Sequence, residues 1–184
     1  MSLPRSIPVG ALGALLLTGS LTLPAATARA EEEMSYFALV PTPDGRLCCT
    51  TGGGNMTPDR VGEIVPAAHA HETPILVSVG GWGTYDGFRA AIRPGVRSTL
   101  VRNIVAYVER WGFDGVDVDM EPIRPGDRAD FVAFVRELHA ALAPLSTPML
   151  ARPQLTAAVQ WEPSIFAELA DVLDQINLMT YDLA

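Results

Sequence analysis

The sequence predicts an α/β fold with a parallel sheet and helical crossovers, and among such folds it favours a (β/α) barrel. Strand and helix patterns alternate at intervals of roughly 25 to 45 residues, which is typical of parallel strands joined by helices. No G-x-G-x-x-G loop, the usual mark of a doubly wound sheet, lies between a strand and a helix. Polar and glycine-rich motifs lie where predicted strands end, which is where barrels carry their chemistry.

The individual elements follow from local patterns. The apolar run 34–40 ends at prolines and at the turn signal Asp44-Gly45, so it is predicted to be a strand. Thr57 followed by Pro58 is an N-cap with proline at the first helical position. Further strands are predicted at 75–79, 113–121, 155–159 and 175–179, and further helices at 94–110, 129–142 and 163–169. Gly112 is predicted to end the helix that precedes the strand at 113–121.

Residues 1–30 are predicted to be a secretory signal peptide. Arg5 is followed by an apolar run at 9–23, and Ala28-Arg29-Ala30 is a small-x-small cleavage site. A membrane anchor is the alternative, but the run is short and interrupted by glycine and proline. We therefore expect a secreted protein, extracellular or periplasmic, that has no membrane attachment after cleavage, with one domain over 31–184.

Charge restricts the partners. The whole chain has a net charge of −8, and cleavage after residue 30 would remove two arginines and no acids, which gives −10. An acidic protein of this kind is a poor partner for nucleic acid or for an anionic membrane surface, whereas a neutral polymer is compatible with it.

The cysteines and histidines predict neither a metal site nor a nucleophile. Cys48 and Cys49 are adjacent in a glycine-rich loop, so they cannot close a long loop; a strained vicinal bridge is possible, and two free thiols are expected. His69 and His71 lie near a helix C-terminus and are predicted to be surface residues favoured by the helix dipole. His139 lies within a predicted helix and no G-x-S-x-G elbow exists, which disfavours a Ser-His-Asp site. No cofactor is predicted.

The strand at 113–121 carries a row of acids. Asp117, Asp119 and Glu121 alternate with valine and methionine, so three carboxylates share one face of the strand. The other face needs an apolar layer, which predicts a central strand and enclosed acids. An unpaired buried charge costs several kcal/mol, and this cost disfavours a purely structural role. A solvated acidic edge strand is the remaining structural alternative.

Two kinds of chemistry suit enclosed acids. A hard cation such as Mg²⁺ or Ca²⁺ takes oxygen ligands, but calcium-loop spacing is absent and Pro122 occupies the next ligand position. In glycoside hydrolysis, a buried carboxylic acid protonates the leaving oxygen, and an acidic neighbour raises its pKa. Glu121 lies at the exposed end of the row and is the predicted proton donor, with Asp119 and Asp117 behind it.

Three motifs resemble glycoside hydrolase family 18, the chitinases and their relatives. Residues 114–121 match the family signature D-x-x-D-x-D-x-E, residues 78–81 match S-x-G-G, and residues 179–182 match M-x-Y-D. They occur in family order at family-like distances, and the resemblance extends over roughly residues 34–184. It implies that 31–184 is a partial catalytic domain of this family, a (β/α)8 barrel of which about strands 2 to 6 are present. Cleavage at residue 30 of the 184 would leave 154 residues, whereas a complete barrel takes about 250.

The resemblance also implies an activity. It is the hydrolysis of β-1,4-linked N-acetylglucosamine polymers such as chitin by retaining, substrate-assisted catalysis. The catalytic residues that it implies are Glu121, Asp119, Asp117 and Tyr181. The substrate-binding residues that we assign with it are Asp182, Met179, Trp82, Gly81 and Phe37.

The sequence departs from the family pattern at two positions. Met120 lies where tryptophan is frequent, and Pro122 lies where an aromatic residue often follows the acid. The family frequently has a cis peptide there, and we predict a cis Glu121–Pro122 bond because proline makes the cis form accessible. Two alternatives stay open: an endo-β-N-acetylglucosaminidase or peptidoglycan-directed glycosidase, and an inactive fragment or non-catalytic carbohydrate-binding relative. We expect the 184-residue chain to hydrolyse chitin oligomers poorly or not at all.

Overall fold

The computed structural model of the chain describes residues 34–48, 57–159 and 163–180. The strands in these ranges are β1 Met34–Pro41, β2 Leu47–Cys48, β3 Ile75–Gly80, β4 Gly115–Asp119, β5 Gln154–Val159 and β6 Gln175–Leu178. The helices are α1 Pro58–Ala70, α2 Tyr85–Ala91, α3 Arg97–Trp111, α4 Arg128–Leu142 and α5 Pro163–Ala167, with a 3₁₀ turn at Pro125–Asp127. The predicted signal peptide, Cys49, Tyr181 and Asp182 lie outside the described residues.

The strands form one sheet in the order β2-β1-β3-β4-β5-β6. Every neighbouring pair is parallel except β1 and β2, which form a short antiparallel hairpin. Apart from that hairpin, spatial order follows chain order, and helices lie between successive parallel strands. This is the arc of a (β/α)8 barrel and confirms the predicted fold class, with β4 in a central position.

Helices cover one face of the sheet and make the core. Val116 and Val118 of β4 are fully buried, as are Leu100 of α3 and Phe134 of α4. The rings of Phe88 and Phe134 meet edge to face, with centroids 5.6 Å apart, and so pack α2 against α4. Each such apolar side chain contributes about 1.5–3 kcal/mol when it is fully buried. The acids of β4 must therefore face the other side of the sheet.

Two helix ends confirm the predictions made for them. The Thr57 side chain accepts a hydrogen bond from the backbone N–H of Arg60 at 3.3 Å, which caps α1. Gly112 has φ of 73°, the left-handed conformation that glycine adopts at low cost, and it ends α3 directly before the acidic strand.

Three local features differ from the predictions. Helix α3 begins at Arg97 rather than at 94, and the separate helix α2 was not predicted because its seven residues are too few to show helical periodicity. Cys48 was placed in a loop but belongs to β2, a two-residue strand that leaves no sequence pattern.

The prediction for His69 was wrong, because this residue is part of a buried polar cluster. His69 Nε2 is hydrogen bonded to Asp114 Oδ2 at 2.7 Å, and Asp114 is fully buried. The same carboxylate accepts the backbone N–H of Ile75 at 3.0 Å and that of Met149 at 3.2 Å. Asp114 therefore joins α1, β3 and the segment before β5 at the N-terminal edge of the sheet, and the local pattern of α1 could not reveal a partner 45 positions away. His71 is exposed, as predicted.

Within the ranges that the structure describes, none of the helices is both long enough and apolar enough to span a bilayer.

Candidate active site

The register of the parallel strands lines up polar side chains across the sheet. Asp117 of β4 pairs with Ser78 of β3 on one side and with Thr156 of β5 on the other. Asp117 and Asp119 keep only 3% and 1% of their surface exposed. The predicted enclosure of the acid row is confirmed, and the solvated edge strand is excluded.

Asp117 lies among hydrogen-bond donors. Its Oδ1 accepts the Thr156 hydroxyl at 2.5 Å and the Asn177 side-chain amide at 3.2 Å. Burial raises the pKa of Asp117, and the bonds from Thr156 and Asn177 offset part of this rise. The nearby Ser78 hydroxyl also lowers this pKa, although its oxygen makes no hydrogen bond of ordinary geometry within the described residues.

Thr156 and Asn177 were not identified from the sequence. Both lie on strands next to or beyond β4, and both face the side of the sheet that carries the acids. In each strand the sequence does show a polar residue between apolar ones. This pattern points to Asp117 only once the register of the strands is known.

Asp119 is the most perturbed acid of the row. Burial, then the charges of Glu121 and Asp117, and a hydrogen bond with Glu121 raise the pKa of Asp119 to about 7. Its Oδ1 is buried and has no hydrogen-bond partner among the described residues. The raised pKa favours the protonated form of Asp119, and its buried oxygen can accept one further donor.

Glu121 follows β4 and is only partly buried, so the order of the row is as predicted: an accessible glutamate with two buried aspartates behind it. The Glu121–Pro122 peptide bond is cis, as predicted from the sequence. A second cis bond, Phe37–Ala38, lies in β1.

Two glycines let the end of β3 approach the end of β4. Gly80 has φ of 118°, and a Cβ there would lie 2.0 Å from the backbone oxygen of Asp119. The N–H of Gly81 donates to that same oxygen at 2.7 Å. A Cβ on Gly81 would meet the Phe37 ring at 3.1 Å. The glycine motif therefore brings the substrate-binding candidates Gly81 and Phe37 to the acid row.

Two exposed aromatic rings lie beside the row. Trp82 directly follows Gly81 and is 76% exposed, and Phe37 is 54% exposed. Large exposed rings of this kind offer flat apolar faces to a ligand. Met179 is partly buried after β6, where its N–H donates to Val159 at 2.9 Å. Both rings are thus exposed on segments that adjoin the acid row, since Gly81 bonds Asp119 and contacts Phe37.

A buried acid pair next to an accessible glutamate, at the C-terminal edge of a barrel sheet, is an arrangement that suits a glycoside hydrolase. Comparison with known proteins identifies the family. The family model described as "Glycosyl hydrolases family 18" matches residues 49–184. The chain belongs to glycosyl hydrolase family 18.

Curated relatives are chitinases by name. The chain is 32% identical to Chitinase 1 of Aphanocladium album over 121 residues, which covers 60% of this chain and 28% of that protein. It is 31% identical to Chitinase B of Serratia marcescens, over 64% of this chain and 27% of that protein. A chitinase-like effector of Moniliophthora roreri is 30% identical over 82% of this chain and 39% of its own length.

Solved structures agree in fold. A chitinase from Bacteroides thetaiotaomicron superposes with a TM-score of 0.68 at 25% identity, covering 83% of this chain and 46% of that one. A mutant family 18 chitinase from Cycas revoluta in complex with (GlcNAc)4 gives 0.69 at 25% identity, over 82% and 48%. The chain thus spans about half of these barrels and between 19% and 28% of the first curated relatives.

Proposed function

We propose that the protein hydrolyses β-1,4-linked N-acetylglucosamine polymers such as chitin, with retention of configuration and with the substrate's own acetamido group as nucleophile. The observation that carries the proposal is Asp119, which is buried, is hydrogen bonded to Glu121 and keeps an oxygen without a partner in the described residues. A buried acceptor of this kind suits the N–H of an acetamido group. The family and the names of the relatives support the substrate class.

Glu121 is the proposed acid and base. It is partly exposed at the end of β4, where a glycosidic oxygen can reach it. As the bond breaks, Glu121 gives its proton to the leaving oxygen, and the acetamido carbonyl attacks the anomeric carbon to form an oxazolinium ion. Glu121 then takes a proton from the water that opens this ion, so that both products leave and the enzyme is restored.

Asp119 and Asp117 are proposed to orient and support the acetamido group. Asp119 accepts the acetamido N–H and thereby directs the carbonyl oxygen toward the anomeric carbon. Asp117 is held by Thr156 and Asn177, so it remains beside Asp119 throughout the reaction. Tyr181, which lies outside the described residues, is proposed to donate to the acetamido carbonyl.

The remaining candidates are proposed to bind sugar. Trp82 and Phe37 expose aromatic faces, and the missing side chain of Gly81 keeps the space between Phe37 and Asp119 open. Met179 and Asp182 follow β6 in the family motif and are proposed to line the same subsite. Cleavage of residues 1–30 and secretion are proposed with this function, because an insoluble glycan lies outside the cell.

A pair of fluorogenic disaccharides tests the function. We expect slow release of the fluorophore from the di-N-acetylchitobioside and none from the cellobioside, because the cellobioside has a hydroxyl where the nucleophilic acetamido group is needed. Similar rates on both substrates would contradict substrate assistance, and no release from either would contradict hydrolysis by this chain.

A second candidate function is chitin-oligomer binding without turnover. The exposed Trp82 and Phe37 rings support it, because stacking on a sugar needs no acid chemistry. Titration calorimetry with tetra-N-acetylchitotetraose distinguishes the two, since this candidate predicts binding with no cleavage products after prolonged incubation.

A further inference from the structure

Another buried carboxylate follows the acid row in the chain but lies outside the family motifs. Asp127 ends the 3₁₀ turn that follows Glu121 and keeps only 3% of its surface exposed. Its Oδ2 accepts the Tyr85 hydroxyl at 2.7 Å, and its Oδ1 accepts Nε of Arg89 at 2.8 Å. Both partners belong to α2, so one side chain fastens the segment after β4 to the helix after β3.

The same carboxylate closes the turn that leads back to Glu121. The backbone N–H of Arg124 donates to Asp127 Oδ2 at 3.3 Å, and the N–H of Asp127 donates to the backbone oxygen of Arg124 at 2.8 Å. Only Pro122 and Ile123 separate this turn from Glu121, and Ile123 packs against the core. The chain therefore has little freedom between the catalytic glutamate and its anchor.

Helix α2 in turn fixes the opposite wall of the site. It begins directly after Thr84, whose hydroxyl donates to the backbone oxygen of Gly81 at 2.8 Å. Gly81 itself donates to the backbone of Asp119. Asp127 therefore closes a ring of contacts that runs from Glu121 through α2 to Gly81 and Trp82 and returns to β4.

Charged side chains stabilise the contact between α2 and the turn after Glu121. Arg89 balances the buried Asp127 carboxylate, which would be costly without a partner. The Arg124 guanidinium lies over the Tyr85 ring at 4.1 Å, which adds a cation–π contact across the same junction. Burial and the bond to Asp127 raise the pKa of Tyr85, so its hydroxyl remains a donor through neutral pH.

We propose that Asp127, with Tyr85 and Arg89, forms a latch that positions Glu121 relative to the sugar-binding wall at Gly81 and Trp82. The latch residues are positioning residues and do not touch the reacting atoms. This inference rests on the proposed glycosidase function, because the role of the latch is to hold Glu121 where the glycosidic oxygen binds. The three latch residues belong to none of the family motifs.

Kinetics of two mild variants test the latch. Tyr85→Phe keeps the ring under Arg124 and removes only the hydroxyl, and Asp127→Asn keeps the shape and removes the charge. Each should lower kcat on the chitobioside about 10- to 100-fold with little change in KM, because a displacement of about 1 Å misplaces the acid without removing a sugar contact. An unchanged kcat in both variants would overturn the proposal.

The matched control is Asp114→Asn, which alters a buried carboxylate directly before β4, at the opposite edge of the sheet from Glu121. It should lower the melting temperature while kcat stays near the wild-type value, since among the described residues the Asp114 side chain bonds His69, Ile75 and Met149 and none of the acid row. A loss of kcat as large as that of Asp127→Asn would mean that general destabilisation explains both, and would overturn the latch.

Amide hydrogen exchange tests the latch without relying on turnover. In Asp127→Asn, the amides of 121–127 should exchange faster than in the Asp114→Asn control, while those of β3 and β4 remain protected. Equal exchange of 121–127 in the two variants would overturn the latch. Absence of turnover by the wild type would contradict the glycosidase function but would leave this result informative, so the two failures can be told apart.

Discussion

Replacing Glu121 with glutamine should lower kcat on the fluorogenic chitobioside by about 10²- to 10⁴-fold, the usual contribution of a general acid or base. Glutamine has nearly the same shape and keeps hydrogen-bonding capacity, but it has no acidic proton for the leaving oxygen and cannot accept one from water. The pKa of Asp119 should also fall toward its ordinary value, because the charge and hydrogen bond of Glu121 help to raise it. Steady-state assays at several pH values measure both effects.

Glu137→Gln is the matched control for this substitution. Glu137 lies on α4 and bonds Nε of Arg97 at 2.9 Å and the Ser98 hydroxyl at 2.5 Å, away from the acid row. Its loss should leave kcat unchanged. Wild-type rates in Glu121→Gln, or an equal loss in the two variants, would refute the role of Glu121.

Replacing Asp119 with asparagine should make the protein more stable than the wild type at pH 8 and change stability little near pH 4. The folded state raises the pKa of Asp119 from 3.8 to about 7, so folding favours its protonated form. The contribution of Asp119 to the free energy of unfolding is therefore fully present below pH 4. It falls by a few kcal/mol as the pH rises through 7. Asparagine cannot ionise and escapes this loss. Denaturant titrations at both pH values measure the difference.

Asp171→Asn is the control, because it should change stability at pH 8 in the opposite direction. The bonds that Asp171 makes with Arg136 lower its pKa, so the folded state favours the charged form of this exposed carboxylate. Its replacement should cost a little stability at pH 8 and nothing at low pH. If Asp119→Asn behaves in the same way as Asp171→Asn, the folded state does not disfavour the ionised form of Asp119, and the account of the acid row is wrong.

Much of the site could be predicted because it is local in the sequence. The alternation of Asp117, Asp119 and Glu121 with apolar residues settles both the strand and the face that carries the acids, since side chains in a strand repeat every two residues. The apolar stripes of α3 and α4 are equally local. The cis bond before Pro122 was predicted from the sequence and the family resemblance together.

The contacts that hold the site in place could not be predicted in this way. Thr156 and Asn177 reach Asp117 only through the register of strands 39 and 60 positions away. Asp127 meets Tyr85 and Arg89 across a similar separation, and α2 is too short to show a period. Partners that are distant in sequence leave no local pattern.

The family signature also does not separate its members by role. Asp114 is its first acid, yet it is buried at the N-terminal edge of the sheet and bonds His69 and two backbone amides. Asp119 and Glu121 lie at the opposite edge. Spacing alone assigns all of them to one motif. Only the strand direction shows that Asp114 lies at the N-terminal edge, away from the candidate site at the other edge.

The anomeric form of the first product tests the central claim most directly. The wild-type chain is incubated with tetra-N-acetylchitotetraose in an NMR tube, and the anomeric protons are followed before mutarotation equalises them. Substrate assistance through Asp119 and Glu121 predicts the β-anomer first, because the acetamido attack and the opening by water invert the same carbon twice. The α-anomer first, or no product above the Glu121→Gln background, would contradict the account.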